Sequence, residues 1–460
     1  MIKNTIEESV TQKTLSLLID KFTVHRNDGE FLMSGHGRAY ISEEGILLLQ
    51  CSPDKISDIP VRTSKPGQMI NDKDLCIVEL EDEDGTVWHS MNVHIPISPL
   101  YKISGGGKGT IRLYEMETNS RTISNFELGG RMILSSNKKI ELPRNVVTET
   151  KKSERVGSRR APWRFSGASL DRARVKTKDF LIDFSWPGNF LECNYELTDT
   201  IPLFHDRICE TVMFVSGQMP CKIFLARSYG NFESIVVYSR RDPPVRKQRT
   251  PSPHYRTKRR SDPYLLFKKY LTFAIKESAE DGWCHISREM ASIMLTKNIS
   301  VAAEILATCI AIEWMTKKYF PRLKIPVTPP ETIEKIMSEI DSMRLNSSIK
   351  KRISDIVKGS LGQIRCKDVL RKLSKGGRIT LDMIRTWDKN RNSSAHGNKD
   401  YEITHRTLSD SDTLFQLLIL LVFKTIKYNG QYSDYSAEGW PVARIKPKRQ
   451  RNPQTLSPQG

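Results

Sequence analysis

The chain has no pair of cysteines at C-x-x-C spacing, no apolar run long enough to span a bilayer, and no Walker phosphate loop. Each absence removes a class of function. The eight cysteines, Cys51, Cys76, Cys193, Cys209, Cys221, Cys284, Cys309 and Cys366, are scattered, and none stands at zinc-finger distance from a histidine. Reduced, mostly buried thiols are expected, with no metal and no cofactor. The most apolar stretch, residues 414–426, is interrupted by Gln416 and Lys424 and reads as a buried helix rather than a membrane span. The opening residues M-I-K-N-T-I-E-E-S-V are polar, so no secretory signal is expected and the cytoplasm is the expected compartment. In S-G-G-G-K-G-T at 104–110, Gly109 separates Lys108 from Thr110, where a phosphate loop needs Ser or Thr directly after the lysine. A hairpin turn is expected there instead.

Acidic residues are in deficit. Against 53 Asp and Glu stand 72 Lys and Arg, a net charge of +19 over 460 residues. Such a surplus favours polyanions, nucleic acid first. With 38% hydrophobic residues the chain can build real cores, and its length suggests two or three domains.

The texture changes along the chain, and an α+β multidomain fold is expected. Residues 1–239 carry short β-branched or alternating runs between turn residues, among them F-L-M-S-G-H-G-R-A-Y-I, G-I-L-L-L-Q-C, C-I-V-E-L and S-I-V-V-Y-S. An all-β, sandwich-like or barrel domain is expected, with the Lys/Arg-rich residues 146–178 as a long exposed loop. His25, His36, His89 and His94 fall in this half and read as surface or satisfied core histidines. Residues 240–262, proline-rich and cationic, read as an extended linker. Residues 263–430 have helical spacing and predict an all-α bundle. In it, Thr328-Pro329-Pro330-Glu331 opens one helix, a second covers 347–374 and stops at Gly376-Gly377, and Ser409-Asp410 introduces the last. Residues 431–460 read as a basic, disordered tail.

One polar turn stands out inside the helical half: W-D-K-N-R-N-S-S-A-H-G-N, residues 387–398. It sets Arg391 five residues before His396. The same spacing occurs at Arg249 and His254, but inside the linker, where no scaffold is expected to hold it. Leu381, Ile384, Trp387 and Arg391 follow helical spacing, which predicts Arg391 on the inward stripe with Asp388 as its partner. Residues five apart on a continuous helix diverge by about 140 degrees. Convergence of Arg391 and His396 therefore requires a bend, which the weak helix formers Asn392, Ser393 and Ser394 and the stop residue Gly397 would permit. A helix C-terminus with a cap-bonding histidine fits the same letters.

R-N-S-S-A-H-G resembles the R-N-x-x-x-H signature of HEPN domains, helical bundles that are frequently ribonucleases. The order of a β-rich half and a helical half resembles the ApeA group of bacterial anti-phage abortive-infection proteins. The motif match covers about ten residues and the architectural likeness most of the chain; the basic linker and tail have no counterpart in it. The resemblance implies a metal-independent endoribonuclease that cuts cellular RNA, with tRNA anticodon loops as a target. Arg391, Asn392 and His396 would be catalytic, Asp388 supporting, and Lys389, Arg385 and Lys399 would bind RNA. It further implies a homodimer or higher oligomer through the helical domain, a phage-derived trigger, and a β domain that senses and restrains. No membrane is involved in this reading. The alternative is a non-catalytic module that binds RNA or protein through the same bundle.

Overall fold

The computed structural model describes residues 2–57, 71–95, 108–118, 127–136, 138–156, 159–229, 232–240, 249–251, 264–277, 282–323, 330–361, 365–395 and 404–445. They fall into two compact units, Met1–Val245 and Arg246–Gly460. The first is built on an antiparallel sheet and the second on helices, an α+β arrangement.

In the first unit, β1 (Ser16–Arg26), β2 (Phe31–Ile41) and β3 (Leu47–Ile56) form a meander, and β4 (Cys76–Asp82) and β5 (Val87–Val93) extend it from β1. The next run, β6 (Gly109–Arg112) and β7 (Glu115–Thr118), is interrupted only by Leu113 and Tyr114. Its first part pairs with β3 and its second with β5. Since β3 and β5 end opposite sides of the row β3-β2-β1-β4-β5, this run joins both sides and closes a six-stranded barrel. Phe22, Val24, Leu49, Trp88, Ile111 and Met116 are fully buried in its core. Trp88 donates its indole N–H to Asp82 at 2.9 Å, so the largest core side chain leaves no unpaired polar atom.

From β7 the same sheet continues through β14 (Phe232–Tyr238), β13 (Cys221–Tyr229), β8 (Gly129–Ser135), β12 (Leu191–Leu197), β11 (Phe180–Ser185), β10 (Arg159–Lys176) and β9 (Val146–Val156). In place of two stacked sheets, the strands make one continuous sheet of 14. The loop expected over 146–178 is instead the β9–β10 hairpin at its end. Lysine and arginine with few apolar anchors describe an edge strand as well as a loop, because charged edges resist pairing with other chains.

The all-β expectation for this half also needs correction. Helix α1 (Ile2–Gln12) packs Ile6 and Val10 into the barrel core, and α2 (Phe204–Ser216) is buried along nearly its whole length. Its polar residues His205, Arg207, Glu210 and Thr211 are buried with the apolar ones, so no exposed face marks it as a helix on a core. Its left-handed stop at Gly217, φ 65°, is the readable signal. The charges it buries are paired: Arg207 with Glu210, and His205 Nδ1 with Glu127 at 3.2 Å.

In the second unit the described helices are α3 (Leu265–Glu277), α4 (His285–Ile299), α5 (Val301–Tyr319), α6 (Pro330–Ser342), α7 (Ser347–Leu361), α8 (Cys366–Ser374), α9 (Leu381–Ala395) and α10 (His405–Thr425). Helix α5 stops where Phe320-Pro321 predicts, and α10 holds the most apolar stretch as a buried helix. Gln416 within it is satisfied at its carbonyl by the Tyr435 N–H, 2.9 Å. Two boundaries shift. The single helix expected over 347–374 is the pair α7 and α8, and α10 starts at His405, capped by the Thr404 hydroxyl, so Ser409 and Asp410 lie one turn inside. Among the described residues no helix is long and apolar enough to cross a membrane.

Described residues inside the expected linker and tail are folded. Arg249, expected to lie unsupported, is docked on the bundle. Its guanidinium bonds Glu304 at 2.8 Å, Asp412 at 2.5 Å and the Ser411 hydroxyl at 3.0 Å, and lies over the Phe415 ring. Thr250 exchanges hydrogen bonds with the Tyr435 hydroxyl on both its N–H and its carbonyl. Tyr435 belongs to residues 431–445, which form the hairpin β15 (Gln431–Ser433) and β16 (Val442–Arg444) rather than a disordered tail. Aromatic anchors supply burial that average polarity hides: Tyr435 contacts both Phe415 and Trp440. His254 and residues 446–460 lie outside the described residues.

Arg249→Ala leaves the buried Glu304 carboxylate without its cation, a loss of about 3 kcal/mol. Amide exchange in α10 of the full chain should then accelerate by about a hundredfold; an unchanged rate contradicts the docking.

Candidate active site

Helix α9 enters the bundle by burying Met383, Ile384 and Trp387, the apolar residues of its inner stripe. The Trp387 indole N–H donates to the Cys309 carbonyl of α5 at 3.3 Å. One turn later on both helices, Arg391 Nε donates to Glu313 Oε2 at 3.1 Å. The contacts advance by four residues along each chain, so α9 and α5 run in the same direction where they touch.

The spacing predicts Arg391 on the inward stripe, but Leu381 at the start of that stripe is exposed and Arg391 stands at the rim of the bundle, 46% exposed. Its partner is Glu313, not Asp388. Asp388 turns to Lys367 of α8 at 2.5 Å. The spacing argument weighed partners on α9 alone, and the carboxylate came from a helix 78 positions away in sequence. The other Glu313 oxygen accepts from Lys317 at 2.8 Å. That hydrogen bond holds the Glu313 carboxyl below the usual range; burial opposes it, and the Arg391 bond adds to it. Cys309 and Cys366 lie nearby, and burial pushes their thiols up to about 12 and about 11, so both are uncharged at neutral pH.

Asn392 is exposed, and its Oδ1 stands 3.5 Å from Arg391 Nη1. Asn392–Ser394 stay helical: α9 continues to Ala395, and Gly397 lies outside the described residues. Asn and Ser cost only about half a kcal/mol each in a helix, which the buried turn upstream overrides. His396 and Lys399 lie outside the described residues, and so does the expected convergence of His396 on Arg391.

The remaining cations of α9 face elsewhere. Lys389 bonds Asp410 of α10 at 3.1 Å, and Arg385 bonds Asp382 at 2.8 Å on an exposed turn. Their stripe lies well round the helix from Arg391, so the three do not make one patch. Between them, Asn390 is buried, and its amide donates to Thr386 O at 2.9 Å and Asp410 Oδ2 at 3.0 Å. This α9–α10 tie was not singled out from sequence, although a buried Asn one residue before an exposed Arg follows from the helical period.

Among the other candidates, His89 is buried 3.8 Å from Glu79, and burial holds its imidazole below the ordinary value. His36 pairs with Asp54 at 3.4 Å on the surface. Of the glycine-rich stretch, residues 104–107 lie outside the described residues, and Gly109 and Thr110 open strand β6. The eight cysteines are free thiols, six of them buried. The chain matches no protein-family model, no curated protein and no solved structure.

Removal of the Asp410 carboxylate by Asp410→Ala costs Lys389 and Asn390 a shared acceptor. The expected loss is about 1–2 kcal/mol, seen as a lower urea midpoint for the full chain. An unchanged midpoint would mean that α9 is held by its α5 face alone.

Proposed function

We propose that the helical unit is a HEPN-type, metal-independent endoribonuclease site, built on Arg391, Asn392 and His396. The supporting observation is the placement of Arg391. It stands at the rim of a packed helix, tethered through Nε, five residues before His396 in the sequence. A guanidinium held in this way grips a phosphate through parallel N–H bonds and opposes negative charge growing on its oxygens.

In the proposed reaction the RNA 2′-oxygen attacks the adjacent phosphorus and expels the 5′-oxygen of the next nucleotide. The product ends are a 2′,3′-cyclic phosphate and a 5′-hydroxyl. One proton leaves the 2′-hydroxyl and one reaches the departing oxygen. His396 serves one of these transfers, because an imidazole can give or take a proton near neutral pH, and a second copy of the motif, from a partner subunit, serves the other. DNA lacks the attacking hydroxyl and is not a substrate. Unpaired loops, with tRNA anticodon loops foremost, are the target, because their backbone is free to reach the in-line geometry. By its resemblance the protein acts in the cytoplasm in anti-phage defence, with the β unit restraining cleavage until a phage-derived trigger arrives.

Full-length protein incubated with total bacterial RNA and EDTA should yield fragments ending in cyclic phosphate, and His396→Ala should lower the rate by about a hundredfold or more. Equal cleavage by parent and variant, or none by either, contradicts the nuclease. The helical unit would then be an RNA- or protein-binding module.

A further inference from the structure

We propose that the β9–β10 hairpin of the first unit is a binding arm for duplex DNA, seated in the major groove against the phosphates. Strand β11 pairs with β10 only over Arg172–Lys176. Arg159–Leu170 of β10 have strand partners only in β9, and β9 is the last strand of the sheet. The hairpin is therefore a two-stranded ribbon that runs on past β11 for on the order of 30 Å. Residues 157–158 lie outside the described residues. Between Val147 and Leu170 stand six Lys and Arg against two Glu. Residues two apart on a strand share a face, and so do cross-strand partners. The pairs Arg155–Arg160, Ser153–Arg164 and Lys151–Ser166 thus place Lys151, Arg155, Arg160 and Arg164 on one face of the ribbon. Of the two acids, Glu149 shares that face at its inner end, opposite Ala168, and Glu154 belongs to the other.

Four cations on one face repel one another, and a polyanion relieves that repulsion. They also oppose pairing with a further strand. So does the register shift between Arg160 and Arg164, where Pro162 has no N–H to donate. The shape then selects the polyanion. A ribbon is an insert for a groove, whereas a single strand needs a groove of its own to lie in. Strands about 5 Å apart make an insert that the major groove of B-DNA, about 12 Å wide, admits. The major groove of A-form RNA is too narrow. The bulge at Arg160–Arg164 adds right-handed twist, which lets the ribbon follow the turn of the groove. DNA lacks the hydroxyl that the proposed cleavage requires, so it is held and not cut, whatever the helical unit does.

The test is fluorescence anisotropy of the full-length protein on a labelled DNA duplex two turns long and on the matching RNA duplex, from roughly 50 to 200 mM salt. The parent should bind the DNA duplex more tightly than the RNA duplex. The variant Lys151→Gln/Arg155→Gln/Arg160→Gln/Arg164→Gln should bind DNA more weakly at low salt. Its slope of log affinity against log salt should flatten by about 3–4, because each phosphate contact contributes about 0.9. Over that salt range the parent then loses about a hundredfold more affinity than the variant. The control Arg344→Gln/Lys351→Gln/Arg352→Gln/Lys375→Gln removes four exposed cations of the helical unit and should keep the parent's slope. An unchanged slope in the ribbon variant overturns the proposal. An equal change in the control also overturns it, since net charge alone would then account for binding. RNA duplex bound as tightly as DNA overturns the major-groove seat and the proposal with it. Absence of DNA binding in the parent does the same; self-association that the ribbon variant loses would then assign the edge to a second copy of the chain. If Tm shows that the fourfold variant does not fold, Arg155→Gln/Arg160→Gln decides, with an expected change in slope of about 2. An unchanged slope there overturns the proposal.

Discussion

Where α9 crosses α5, Trp387 donates to the Cys309 backbone, and the next turn of each helix brings Arg391 to Glu313. Most of what can be said about the site follows from that crossing. The buried indole fixes the rotation and height of α9, and every residue beyond it takes its place from the helical repeat. Arg391 lands at the rim, Asn390 lands inside against α10, and Asp388 lands opposite Lys367 of α8. Three neighbouring helices thus hold one turn of α9 by three different polar contacts. Such a turn is rigid without being buried, which suits a group that must meet a ligand in a set direction.

The first unit solves a different problem with the same physics. A long antiparallel sheet has edges, and edges invite pairing with other chains. Closing β3-β2-β1-β4-β5 through the divided run β6–β7 removes two of them. The remaining free end is the cationic β9–β10 hairpin. Arg249, part of the positive surplus that first suggested nucleic acid, is accordingly locked into the helical unit. Net charge alone therefore overstates the surface offered to a polyanion.

Sequence reading succeeds here where one residue's neighbours decide its state. Strand β2 is legible to the residue, the end of α5 is marked by Phe320-Pro321, and the apolar stretch of α10 reads correctly as a buried helix despite Gln416. It fails where distant residues decide. The α2 helix buries His205, Arg207 and Glu210 with its apolar residues, and the partner of His205, Glu127, is far along the chain. Arg249 looks like linker because Glu304 and Asp412, which hold it, are far along the chain. Residues 431–445 look disordered because three aromatics, Tyr432, Tyr435 and Trp440, do the work that average polarity conceals. At the site, the 381-384-387-391 spacing predicted Arg391 on the inward stripe, but Leu381 is exposed and Arg391 stands at the exposed rim, and its partner was not readable either. Local propensity at Asn392–Ser394 is weaker than the packing of the turn before it, so α9 runs on to Ala395.

The central claim is that His396 and Arg391 act on one phosphate, whether from one subunit or two. NMR of the His396 ring in the full-length protein, titrated with a 2′-deoxy RNA that cannot be cut, tests this directly. The account predicts that the analogue shifts the His396 signals in the parent and that Arg391→Ala abolishes the response while the fold is kept. His396 signals that ignore the analogue, or that respond equally without Arg391, would contradict it.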